Sequence, residues 1–305
     1  MLTVMLQMAA LVACGIAWRI IAPNNLDATT TRLALTNLVY YLFLPALVLL
    51  VLWKAPLGME SVKISVSACS GIIAVVIIMR LICLRCNMPP AISGAIILAA
   101  AFPNATYLGL PVLEASLGPE ARNIAIQYDL FACTPLLLSL GIDLAARFGE
   151  SHRKENPLLG LVKVPALWAA TVAAILNANH IPLPAALEAW LHMLANGVVP
   201  MMLISLGLSL RFSRDQIPLI RPITPAIISK LAIMPLVVWG VAWALGLKGI
   251  TFQGVVLEGA MPSMVIGMVI CDRYKLDTSI YAATVTVSTA LSFVTLSLWS
   301  GILGI

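Results

Sequence analysis

Charge is what this chain has least of: Asp, Glu, Lys and Arg make up 10% of its 305 residues, against about a quarter in a soluble domain. That shortage excludes a soluble globular protein of ordinary composition. Only three histidines occur, His152, His180 and His192, all in or near loops, and no His-Glu-x-x-His pair or convincing Ser/His/Asp set accompanies them. The usual grounds for membrane-embedded catalysis are therefore missing. No Walker-type G-x-x-x-x-G-K-[ST] stretch is present either, so ATP hydrolysis within the chain drives nothing. The six cysteines fall within or at the ends of apolar runs, and Cys83-Leu-Arg-Cys86 lacks the second pair or histidine that zinc would need. Free thiols are expected, with no cofactor and no metal. The first charged residue is Arg19, so the basic start of a cleavable signal peptide is lacking and the first helix is expected to stay.

What the chain has instead is hydrophobicity, 61% of residues with a mean hydropathy of +1.01. Windows of about 19 residues predict an all-α polytopic membrane protein of ten spans, near 2–22, 33–53, 62–84, 91–116, 123–147, 158–178, 185–211, 222–246, 251–272 and 278–303. At about 20 residues per span, no separate soluble domain remains. With the N-terminus outside, the outer loops hold only Lys54, Lys63, Arg122 and Lys248, Lys230 lies within a span, and every other Lys and Arg is cytoplasmic. This alternation follows the positive-inside rule and places both termini outside and the central loop inside. The formal charge of +5 is then topology, and no nucleic-acid partner is expected.

The fourth span carries an interruption, Phe102-Pro103-Asn104-Ala105-Thr106-Tyr107-Leu108-Gly109-Leu110-Pro111. In lipid the freed backbone groups would find no partner, so such a break survives only inside protein or beside a watery cavity. Pro103 and Pro111 each remove a donor, which predicts unwinding between two half-helices, and the second half-helix would aim free N–H groups at the midplane, a site for an anion. The ninth span has its own interruption, Glu258-Gly259-Ala260-Met261-Pro262-Ser263-Met264-Val265-Ile266-Gly267. Between them the most hydrophilic segment, 149–157, divides the chain into a five-helix repeat at 1–148 and a second at 158–305. An odd number of helices per half inverts the second repeat, and interrupted spans in matching positions point to a midplane binding site. Aligning Gly109 with Gly267 places Asn104 opposite Pro262.

These residues resemble a known family. Pro103-Asn104-Ala105-Thr106 with Gly109-Leu110-Pro111-Val112-Leu113 is similar to the Leu-Pro-Asn-Thr…Gly-Ile-Pro-Leu-Leu pattern of the auxin efflux carrier (AEC) family, which includes plant PIN carriers and bacterial permeases for malate or malonate. Ala260-Met261-Pro262 with Asp272-Arg273-Tyr274, Ser205-Leu206-Gly207-Leu208, and Asn37 with Pro45 resemble further family positions in order. The resemblance implies the bile-acid/sodium symporter fold, in which the fourth and ninth helices cross at their breaks. It also implies a scaffold of helices 1, 2, 6 and 7, a moving domain of helices 3–5 and 8–10, and a homodimer, in a bacterial inner (plasma) membrane. The long central loop of plant members is absent, and Ser263-Met264 follows Pro262 where they carry Gln-Gly, which points away from auxin and toward a smaller carboxylate.

A secondary carrier of a small organic anion is the expected function, coupled to H+ or Na+ or uncoupled. A sodium-coupled symporter of bile-acid type is the alternative carrier, and a channel or membrane sensor the alternative class. The expected substrate-binding set is Pro103, Asn104, Ala105, Thr106, Gly109, Pro262, Ser263 and Met264, with Asn37 and Tyr41 from the second span, where Tyr40 could also orient a substrate. Asn104 could contact the carboxylate or cap the second half-helix, and Thr106 and Ser263 could serve a ligand or helix packing. Asp129, Lys230 and Glu258 lie inside spans, where charge demands a partner. They are the candidates for proton or ion coupling, unless they merely snorkel or line a vestibule.

Overall fold

The computed structural model describes residues 2–21, 26–55, 57–149, 157–210 and 218–305. Most of segment 149–157 and the basic residues Arg211 and Arg214 therefore lie outside the described residues. The order is α1 (Leu2–Ile21), α2 (Ala28–Lys54), α3 (Met59–Arg85), α4 (Pro90–Ala101), α5 (105–117), α6 (Pro119–Phe148), α7 (Pro157–Val162), α8 (Pro165–Ala178), α9 (Ala185–Ser209), α10 (Ile220–Ala244), α11 (Gly249–Gly259), α12 (Gly267–Tyr274) and α13 (Thr278–Leu303). No strand occurs among the described residues. α2, α3, α6, α9, α10 and α13 are long and apolar enough to cross a membrane, and Leu6–Ile21, Pro90–Ala101 and Pro165–Ala178 are shorter apolar helices.

α2 begins five residues before the hydropathy window placed it. Asp27 sits at its N-cap, where its carboxylate accepts the Thr30 N–H at 3.0 Å, so a polar Thr-Thr-Thr turn becomes helical despite its low hydropathy. Pro111 is a second correction: it lies within α5, and the unwound stretch is only Phe102 to Asn104. The reason is a wide turn. Residues Ala105–Gly109 form a π turn, with Leu110 N–H reaching back to the Ala105 carbonyl. The same turn recurs at Val39–Phe43 before Pro45, at Asp129–Cys133 before Pro135 and at Ser229–Ile233 before Pro235, each ending two residues short of its proline. Proline offers no N–H and its ring crowds the carbonyl four residues back; a widened turn gives that carbonyl room and keeps the helix going. Before Pro235 that carbonyl belongs to Leu231, and the Trp299 indole donates to it at 2.9 Å.

Packing follows small residues where backbones meet. α1 crosses the 198–209 part of α9 with Gly15 facing Gly207: a Cβ on Gly15 would stand 2.9 Å from the Gly207 Cα. Only glycine permits that approach. α8 and the first part of α9 pack on the 44–54 part of α2, where the Asn177 amide donates to the carbonyls of Leu52, Trp53 and Ala55 at 3.2, 2.8 and 2.9 Å. Elsewhere α3 packs on α4 and α10, α10 on α11, and α13 on α4. Gly207→Val is expected to destabilise the fold by about 1–3 kcal/mol through overpacking. Thermal unfolding of the purified variant checks this, and an unchanged Tm would mean that the two helices separate freely here.

Candidate functional site at the two helix breaks

The unwound stretches meet. Phe102, held extended by the proline that follows it, has φ −101° and ψ 114°, and its carbonyl accepts the Met264 N–H at 3.1 Å. Asn104 N–H donates to the Pro262 carbonyl at 2.8 Å, and Pro103 and Ser263 form an antiparallel bridge between them. Two three-residue segments thus satisfy each other's backbone in a place where lipid could not. The pairing brings Pro103, Asn104, Pro262, Ser263 and Met264 together.

Asn104 is 2% exposed, its backbone carbonyl accepts the N–H groups of Leu108 and Gly109, and its side chain makes no capping bond to α5. Its Nδ2 is buried without a partner, as is the Ser263 hydroxyl. Two polar side chains are thus unspent at the meeting point, unusual in a buried setting. The first N–H groups of α5, at Ala105, Thr106 and Tyr107, have no helical acceptor. Ser263 offers no such free group: its N–H donates to Ser288 Oγ at 3.2 Å, and the following helix starts only at Gly267.

Thr106 turns away from the bridge and donates to one Asp129 oxygen, while Thr134 donates to the other at 3.0 Å. Asp129 opens the π turn of α6, and beside it lies a cavity of about 10 Å³ bounded by Leu44, Val48, Thr106 and Leu110, room for a single water. Glu258, in the last turn of α11, is 0% exposed and neither carboxyl oxygen has a partner. Both oxygens lie against Gly109, in the space where a Cβ would stand. Lys230, also 0% exposed, donates to Met234 Sδ at 2.8 Å.

Asn37 and Tyr41 do not join this group. Both are exposed, Tyr41 by 65%. The polar side chains beside them that turn inward are Thr36 and Tyr40: Thr36 meets Ser205 at 3.0 Å and the Tyr107 hydroxyl, and Tyr40 lies within electrostatic reach of Asp129. The usable signal was Pro45, whose preceding π turn adds a residue to one turn and rotates the face that Tyr40 presents.

Cavities lie toward both ends of α2. One of about 640 Å³ is bounded by Lys54, Glu60, Arg122, Gln127, Glu188 and His192. In it Lys54 and Glu188 pair at 2.6 Å, His192 stands 3.6 Å from the same Glu188 oxygen, and Arg122 pairs with Glu114. The other, about 430 Å³, is bounded by Arg19, Asp27, Thr29, Arg32, Val265 and Met268.

Apolar helices of crossing length, with paired polar breaks buried among them, define an integral membrane protein. The chain belongs to the membrane transport protein family of AEC type, whose pattern matches residues 3–300, and it is a membrane transporter. It is 34% identical over 210 residues to an uncharacterized transporter of Methanothermobacter thermautotrophicus, covering 67% of this chain and 66% of that protein. It is 28% identical over 215 residues to an uncharacterized transporter of Methanocaldococcus jannaschii, covering 69% and 68%, and 25% identical over 207 residues to the uncharacterized transporter YfdV of Escherichia coli, covering 66% and 65%. The match thus spans about two thirds of the length of these relatives.

Proposed function

We propose that this transporter is a secondary carrier of a small organic anion, a carboxylate of malonate or malate size, which it binds at the meeting of the two breaks and passes by alternating access. The observation that supports this best is the unspent Asn104 amide, buried beside the free N–H groups at the start of α5. An amide donor and a helix N-terminus together suit a carboxylate without a cationic side chain. Polar-lined cavities toward opposite ends of α2 suit entry from one side and exit at the other.

In this reading the chain forms ten spans as two inverted five-helix repeats, 1–148 and 158–305. The first, second, sixth and seventh spans are the scaffold of a homodimer, and the third to fifth and eighth to tenth carry the substrate. The site comprises Pro103, Asn104, Gly109, Pro262, Ser263 and Met264, with Ala105 and Thr106 taking part through their backbone N–H groups. Thr36 and Tyr40 replace Asn37 and Tyr41 on the scaffold side, and Asp129, Lys230 and Glu258 are the groups available for ion coupling. Proteoliposomes loaded with unlabelled malonate should take up labelled malonate by saturable counterflow. Diffusive flux without counterflow would mean a channel.

Both termini face outward and the 149–157 segment faces the cytoplasm of a bacterial inner membrane. With the native thiols removed, a cysteine at Ser151 should resist an impermeant maleimide in intact cells and react after permeabilisation. Reaction in intact cells would reverse the orientation and with it the inverted arrangement.

A further inference from the structure

We propose that Glu258, seated against Gly109, is the group that takes up and releases a proton in each transport cycle, with Lys230 as the counter-cation of its charged form. The inference rests on the carrier reading above and selects one coupling group from its three candidates.

Geometry separates the three. Asp129 has a donor on each oxygen, Thr106 and Thr134, so its charge is met by fixed hydrogen bonds and its role is to position Thr106. Glu258 has a donor on neither oxygen and is fully buried, a setting that an uncharged carboxyl tolerates and a bare carboxylate does not. It also sits in the last turn of α11, where the partial negative charge of the helix end disfavours an anion. Lys230 is held on Met234 Sδ at 2.8 Å and makes no ion pair among the described residues, yet it lies within electrostatic reach of Glu258. A carboxylate formed at Glu258 therefore has, on the neighbouring helix α10, an amine that can carry the opposing charge.

The seat explains how the proton could be tied to movement. One wall is the last turn of α11 and the other is the π turn of α5, so the two broken segments hold the carboxyl between them. A shift of either segment opens the seat to water from a vestibule, the proton leaves to that water, and reprotonation precedes closure. The other titratable groups in range are Asp129, Tyr128 and Cys133 on α6. Cys69 on α3 lies within reach of Tyr128 and Cys133, and α13, which packs on α11, carries the buried Tyr281, whose hydroxyl donates to the Met264 carbonyl at 2.8 Å.

Infrared difference spectra of the reconstituted wild type between acid and alkaline pH should contain the carbonyl stretch of a protonated carboxyl that disappears as pH rises. Glu258→Gln should lose this band, while Asp129→Asn and Glu258→Asp keep it. In malonate-loaded proteoliposomes Glu258→Gln should lose accumulation driven by a pH gradient while counterflow persists. Survival of the band in Glu258→Gln, its loss in Asp129→Asn, or full gradient-driven accumulation by Glu258→Gln would overturn the assignment. A wild type that shows the band and loses it in Glu258→Gln, yet carries no malonate, would count against the substrate reading alone.

Discussion

Gly109→Ala is expected to remove transport and to destabilise the protein by about 1–3 kcal/mol, as overpacking of a filled site does. The added methyl would occupy the place of the Glu258 carboxyl, overlapping both of its oxygens. Glu258 has nowhere simple to go: it is fully buried, and its backbone is tied into the end of α11 by the Met261 N–H, 3.2 Å from its carbonyl. Alanine is not resisted for conformational reasons, since Gly109 has the helical values φ −63° and ψ −52°. The effect is therefore steric and local, which makes it reversible in a defined way. Glu258→Ala in the same molecule empties the space, so the double variant should recover most of the thermal stability but not the pH-driven accumulation. A Gly109→Ala protein with the parental Tm would show that the carboxyl leaves its seat at no cost, and the contact with Gly109 would then lose its meaning.

How much of this was legible in the chain depends on the range of the interaction. The breaks were legible because a Pro/Gly stretch within an apolar run conflicts with the demand of lipid for internal hydrogen bonds. Asn104 and Pro262, one from each break, share a 2.8 Å hydrogen bond. The break is shorter than its two prolines imply, because the π turn before Pro111 accommodates that proline and keeps it inside α5. The same turn lies before Pro45, and there the half-buried Tyr40 turns inward while Tyr41 is exposed, a difference that a periodicity of 3.6 does not give once a residue is inserted. The Glu258 seat was out of reach for another reason. Residues 109 and 258 meet through tertiary packing alone, so hydropathy could mark Glu258 as costly but not say what it touches. The Ser288 hydroxyl that occupies the Ser263 N–H is likewise a contact between α13 and the break, and no local pattern announces it.

Asn104→Ala is expected to weaken carboxylate binding about tenfold to a hundredfold, since a hydrogen bond to a charged group contributes roughly 1.5–3 kcal/mol. Folding should persist, because the bonds that hold the break together are made by the Asn104 backbone, to Pro262, Leu108 and Gly109, and the side chain makes no capping bond. Removing a buried donor that has no partner relieves an unsatisfied group, so the variant should unfold no earlier than the parent. This separates binding from structure: had the amide been a cap, its loss would lower stability by about 1 kcal/mol. Neutral amide analogues of malonate should bind weakly to the wild type, because the start of α5 favours negative charge. Lys230→Ala provides the contrast in the same calorimetric titration. Lys230 is held on Met234 and belongs to the Glu258 side of the site, so its loss should change coupling more than malonate affinity. If Lys230→Ala eliminates binding and Asn104→Ala does not, the anion is held by a salt bridge, and the substrate site lies on α10 instead of at the paired breaks.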